Sequence, residues 1–386
     1  MAQKIYLDNA ATTAVDEKVL RAMLPYFSEK YGNASSQHLL GQEAKRALED
    51  SRRIIAKSLN ASQDEIIFTG CGTEANNLAL KGIIFATRKK HIITTKIEHD
   101  CVLNACKWLE KHESVRVTFL NVDSEGLVNP DDVKKAITNE TAIVSVIHGN
   151  NEIGTLQPIE EIGRICREKG VCFHIDACQS YTKTPIDVKR HNLDLVTINA
   201  HKIHGPKGVG ALYVRKGIKI EPLLHGGGHE GGLRSGTENV SGIVGFAEAV
   251  KIASLRDAEK IARLRDKLIE GILKIPNTNL NGPDIKGENK DKRLCNNINI
   301  RFNNIEGEAV GGYLDAYGIC ASTGSACSSH KLETSHVLKA IGLTDIQSNS
   351  AIRLSLSKFN TEEEIDKALE ILPKIVAELR RISPIK

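Results

Sequence analysis

The chain has 386 residues, 41% of them hydrophobic and 26% charged, with a formal net charge of +4. That length can bury a large core arranged as more than one lobe, and the near-balanced charge, without acidic or basic blocks, argues against nucleic acid as a partner. Residues 1–8 lack the apolar core of a signal peptide and no stretch approaches the ~20 apolar residues that span a bilayer. The expected location is therefore the cytoplasm, with no membrane partner. Cysteines at 71, 101, 106, 166, 172, 178, 295, 320 and 327 include no Cys-x-x-Cys pair, so reduced thiols and no metal site are expected.

From about residue 64 to residue 250, short β-branched runs alternate with helical patterns, which predicts an α/β fold with a large, mostly parallel sheet. Strands are predicted over 65–69, 91–95, 116–121, 142–148, 171–175, 194–199 and 210–215. The glycine-rich segment 225–236 breaks the pattern, and helices are predicted over 240–254 and 258–275, the second bridging two lobes. Beyond it come a strand over 297–302, a helix over 308–317, a strand near Cys320, a strand over 352–357 and a helix over 361–381, together a smaller α/β lobe. The stretch 277–293, rich in Asn, Gly, Lys and Asp, reads as a loop. The expected division is a large lobe over 14–257 and a small lobe built from 1–13 and 258–386.

Ligands of open α/β sheets bind beyond the carboxyl ends of the strands, so the residues just past each strand are the ones to collect. The run 194–199 is apolar and ends at His201-Lys202 before a Gly-Pro turn. A lysine at the end of a buried strand calls for a role, and the commonest is a Schiff base with an aldehyde such as pyridoxal phosphate, since desolvation favours the free amine. A surface lysine is the plain alternative. Other strand ends supply Gly72 and Thr73 in a small-residue turn suited to a phosphate, with a helix N-cap at Thr73 as the alternative. They also supply Glu98-His99-Asp100, Asn150-Asn151-Glu152, and Asp176 with Gln179. Pyridoxal phosphate requires a carboxylate at its pyridine nitrogen, which suits Asp176; a flat group on the ring, which suits His99; and amides at the phenolic oxygen, which suit Asn151 and Gln179. Each has a bland alternative: an N-cap for Asp176, a core histidine for His99, backbone partners for the two amides.

Eight segments together resemble the cysteine desulfurases of the NifS/IscS type, within the class V aminotransferase group: YLDNAATT (6–13), YGNASS (31–36), EHDCV (98–102), NNEIG (150–154), HIDACQ (174–179), HKIHGPKG (201–208), RSGTEN (234–239) and GSACS (324–328). A cysteine in the last is the most specific of these. The resemblance implies the fold of type I pyridoxal-phosphate transferases, with pyridoxal 5'-phosphate on Lys202, Asp176 at the pyridine nitrogen, His99 on the ring, and Asn151 and Gln179 at the phenolic oxygen. It makes Gly72, Thr73 and His201 phosphate contacts, and Thr237 a contact to the phosphate of a neighbouring subunit in a homodimer. Arg353 and Asn33 would bind the substrate carboxylate. Asn199 stands where many relatives have a phosphate-binding serine.

The implied reaction converts L-cysteine to L-alanine. The Lys202 amine removes the α-proton and the Cys327 thiolate takes the substrate's sulfur as a persulfide, which passes to a sulfur-acceptor or iron–sulfur scaffold protein for cluster assembly or tRNA thiolation. The loop 322–335 carries Cys327, with His330 and Lys331 nearby. An aminotransferase or a selenocysteine lyase is the enzymatic alternative, and a scaffold that has lost the chemistry the non-enzymatic one. The chain ends at ISPIK, without the extension some relatives use to bind their scaffold, which leaves the acceptor open.

Overall fold

The computed structural model describes residues 4–323 and 334–384. Its strands in chain order are β1 (Ile5–Tyr6), β2 (Ile66–Thr69), β3 (His91–Thr95), β4 (Arg116–Leu120), β5 (Thr141–Ile147), β6 (Cys172–Asp176), β7 (Leu195–Asn199), β8 (Gly210–Val214), β9 (Thr278–Leu280), β10 (Asn297–Phe302), β11 (Ile319–Cys320) and β12 (Ala351–Ser355). Seven form one sheet in the order β2-β8-β7-β6-β5-β3-β4, and only β8 runs against the others. All but β4 are almost wholly buried, as strands covered by helices on both faces must be. The carboxyl ends of β2, β3, β5, β6 and β7 therefore open on one edge.

A second sheet pairs β10 with β12 and β9, antiparallel throughout, and packs under the helices Leu255–Ile272 and Glu362–Ile382. β1 pairs in parallel with β11, which brings the amino-terminal segment to the carboxyl-terminal part of the chain. The loop expected over 277–293 contains β9, an edge strand whose Asn279 gave no β signal. The bridging helix starts at Leu255, three residues early, because Ser254 caps it by accepting from the Arg256 amide.

The glycine-rich segment is pinned at its centre. Glu230 has φ +51, in the left-handed region that disfavours a side chain, and Gly231 and Gly232 follow at +63 and +84. The Glu230 carboxylate offsets that cost by accepting from Nη1 and Nη2 of Arg52, at 2.6 and 2.7 Å, and from the Phe68 amide at 2.7 Å. Both partners are buried. Glu230→Ala is expected to lower stability by about 3 kcal/mol, because it removes the buried partner of Arg52 and leaves its charge facing the partly exposed Glu49 carboxylate at 3.4 Å. An unfolding free energy from urea titration lowered by less than about 1 kcal/mol would mean that the pair behaves like a surface bridge.

Candidate active site

The helix Gly72–Thr87 follows β2, and its N-cap, Cys71, gives it no side-chain hydrogen bond. Thr73 is thus inside the helix rather than its cap, and the first amides are left for an anion. A Cβ on Gly72 would lie 2.6 Å from Cys178 Sγ and 3.5 Å from Asn199 Nδ2, so this turn admits close approach from the side where Asn199 presents its amide. Asn199 is buried at the end of β7, and its Oδ1 has no partner among the described residues.

Lys202 follows β7, half-buried, and its carbonyl accepts from Lys183 Nζ at 3.2 Å. The loop around it is clamped by the amino-terminal segment: Thr13 donates to the His201 carbonyl through its amide at 2.9 Å and its hydroxyl at 2.8 Å, and Thr12 Oγ1 lies 3.2 Å from His201 Nδ1. Burial, then Lys202, then Lys207 and Lys183, push His201 down to about 4, so its ring is neutral. The strand-end motif alone gave no sign of this clamp.

Asp176 closes β6. Its Oδ2 accepts from Asn76 Nδ2 at 2.7 Å, and its Oδ1 from the Cys178 amide at 2.9 Å, a local turn rather than a helix cap. Asn76, in the second turn of the helix Gly72–Thr87, is a residue at this site that the sequence reading missed. It is legible only as a polar side chain at a helical position facing the sheet. His99 caps the helix Asp100–Glu113, its Nδ1 accepting from the Cys101 amide at 3.2 Å. Burial lowers its pKa and the Lys202 ammonium lowers it further, against the pull of Asp176. Lys202, Asp176 and His99 thus share one electrostatic neighbourhood, with a neutral imidazole able to exchange protons.

Gln179 is buried, with Nε2 donating to the Ala10 carbonyl at 2.8 Å, and the Asn151 carbonyl accepts from Arg353 Nη1 at 3.0 Å. Arg353, buried on β12, also pairs with Asp8 at 2.9 Å. Asn33 is exposed, and its Oδ1 accepts from the Ser35 amide at 2.9 Å, as in a local turn. Thr237 is exposed at the end of the glycine-rich segment. Cys327 lies outside the described residues. Of the other strand-end thiols, burial pushes Cys101 up to about 12 and Cys178 also upward, whereas Cys71 is exposed. Among the described residues the cysteines are free, no His/Cys/Asp/Glu cluster could hold a metal ion, and no helix is long and apolar enough to cross a membrane.

These residues fit pyridoxal phosphate: an uncapped helix N-terminus and a buried amide for a phosphate, an amine at a strand end, a fixed carboxylate and a flat neutral imidazole. The comparisons agree. The aminotransferase class-V family model matches residues 5–368. A cysteine desulfurase IscS of Methanosarcina thermophila is 49% identical over 99% of this chain and 94% of its own length, and one of Clostridium botulinum is 49% identical over 100% and 97%. A solved NifS-like protein superposes with TM-score 0.90 at 41% identity, covering 98% of this chain and 100% of that one. The structure described as SspA in complex with cysteine gives 0.82 at 37%, covering 93% and 100%.

Proposed function

This chain belongs to the class-V aminotransferase family, among the cysteine desulfurases of the NifS/IscS type, and on that premise we propose how its residues divide the work and what it works with. It is a pyridoxal-phosphate enzyme, a cysteine desulfurase that converts L-cysteine to L-alanine. When bound, the cofactor supplies an electron sink for the substrate's α-carbon.

Gly72, Thr73, Asn199 and His201 would hold the phosphate. Lys202 would anchor the aldehyde carbon and move the α-proton; Asp176, oriented by Asn76, would keep the pyridine nitrogen protonated; His99 would cover the ring; Asn151 and Gln179 would flank the phenolic oxygen. Arg353 binds the substrate carboxylate through its planar fork, with Asn33 as a second contact. The Cys327 thiolate attacks the substrate's sulfur: an S–S bond forms, the C–S bond breaks, and protonation of the remaining carbon skeleton releases alanine. The observation that carries this reading is the convergence at the carboxyl edge of the sheet of Asp176, at the end of β6 and held by Asn76, with His99 beyond β3 and Lys202 beyond β7.

The persulfide passes to a sulfur-acceptor or iron–sulfur scaffold protein. The enzyme acts in the cytoplasm as a homodimer whose large lobe spans 14–257 and whose small lobe comprises 1–13 and 258–386. Leu20, Leu24, Phe27, Tyr31 and Leu39, all exposed along one amino-terminal stretch, support an interface with a second copy, and Thr237 on its exposed arm suits a reach to the neighbour's phosphate. Incubating the purified protein with L-cysteine and a thiol reductant should yield alanine and sulfide in equal amounts. Pyruvate in place of alanine, or alanine without sulfide, would count against it.

A further inference from the structure

We propose that Glu152 is a positioning residue for sulfur transfer: its buried carboxyl holds Ser335, the downstream root of the Cys327 segment, against the loop that carries Asn151. The inference rests on the role given to Cys327 above.

The two roots of that segment are tied to the same place. Upstream, Ser322 forms an antiparallel bridge with Arg353, donating to its carbonyl at 3.2 Å and accepting from its amide at 2.6 Å. Downstream, Ser335 Oγ donates to Glu152 Oε2 at 2.6 Å and also caps the helix His336–Ala340 by accepting from the Leu338 amide at 3.2 Å. His336 Nε2 lies 2.9 Å from the Glu98 carbonyl.

The circuit closes through the substrate arginine. Arg353 Nη1 donates to the Asn151 carbonyl at 3.0 Å, and the next carbonyl, that of Glu152, accepts from Asn297 and Asn299 on β10 at 3.1 and 3.2 Å. Asn299 is the register partner of Arg353 on β12. Glu152, at 4% exposure, is therefore joined to Arg353 by backbone on one side and to the downstream root by its side chain on the other. A carboxyl in that position needs a partner, and among the described residues the partner it has is the root serine. Burial raises its pKa while the Ser335 hydroxyl, His336 and Arg353 oppose the shift.

A tether of this kind fixes where the segment starts and ends relative to the substrate carboxylate. It bears on the reach of Cys327 to the substrate's sulfur and not on proton removal at the α-carbon, which involves Lys202 beyond the end of β7 in the other sheet. Loss of about an ångström of register at a reacting group costs on the order of a hundredfold in rate.

The test uses the full-length holoenzyme and two readouts: exchange of the α-hydrogen of L-alanine with solvent deuterium, and the persulfide mass on the Cys327 peptide in a single turnover with L-cysteine. Glu152→Ala is expected to keep exchange within about twofold while persulfide formation slows on the order of a hundredfold. Ser335→Ala should show the same split, and Glu152→Gln, whose amide oxygen still accepts from Ser335, should recover most of the loss. An equal fall of both readouts in the alanine variants, an unchanged persulfide rate, or a Gln variant no better than Ala overturns the proposal. If Glu152→Ala melts below the assay temperature, Ser335→Ala and Glu152→Gln decide alone. Cys327→Ala must abolish alanine release from L-cysteine; if alanine release persists there, the desulfurase role of Cys327 has failed, and this inference with it.

Discussion

Replacing Cys327 by alanine is expected to collapse alanine production from L-cysteine by on the order of a thousandfold or more, as loss of a nucleophile does, while cofactor binding and the spectral change on adding L-cysteine persist. In the proposed division of roles Cys327 enters only when the substrate's sulfur is taken, so everything before that step should be independent of it. Three other cysteines beside strand ends serve as controls. Cys101 and Cys178 are held as thiols by burial, with Cys101 near 12, and a thiol is a poor nucleophile. Cys71 is exposed in the turn after β2 and is the more serious rival. If Cys327→Ala keeps near wild-type alanine production and a change at Cys71, Cys101 or Cys178 abolishes it, the assignment of the nucleophile is wrong.

Lys202→Ala should leave a protein that is no longer yellow, or whose cofactor washes out on dialysis, with L-cysteine turnover lost. The amine is the group that would hold the aldehyde carbon and move the α-proton, so a single change removes both an anchor and a base. Borohydride reduction followed by peptide mapping checks it: wild-type protein should carry the reduced cofactor on Lys202 and the variant on no lysine. An unchanged reducible adduct would move the link elsewhere. Lys207 is exposed beyond the Gly-Pro turn, and Lys183, lowered to about 8 mainly by burial, already donates to the Gln179 and Lys202 carbonyls.

The central sheet was legible because its strands are short β-branched runs between helical patterns; each lies within two residues of its predicted bounds. The strand-end residues were legible for the same reason, since the rule that ligands bind at carboxyl ends needs only strand direction. What was not legible depends on register between distant parts of the chain. Nothing near Thr12 and Thr13 announces that they clamp His201, because the contact joins positions 188 residues apart in the chain. Asn76 reads as any polar helix residue until the helix is laid against β6 and its amide meets Asp176. Glu230 sits in a run that reads as loose glycine, and only its ion pair with Arg52, far upstream, makes it an anchor. β9 was missed because one of its three residues is an asparagine on a sheet edge, where pairing rather than propensity decides.

The most direct test is one turnover of the wild-type protein with L-cysteine, in which the alanine released and the mass of the Cys327 peptide are read from the same sample. The account predicts one alanine per active site and a Cys327 peptide heavier by one sulfur atom, restored to its original mass by a thiol reductant. Alanine formed with no added sulfur on that peptide, or with the sulfur found on a different cysteine, would contradict it.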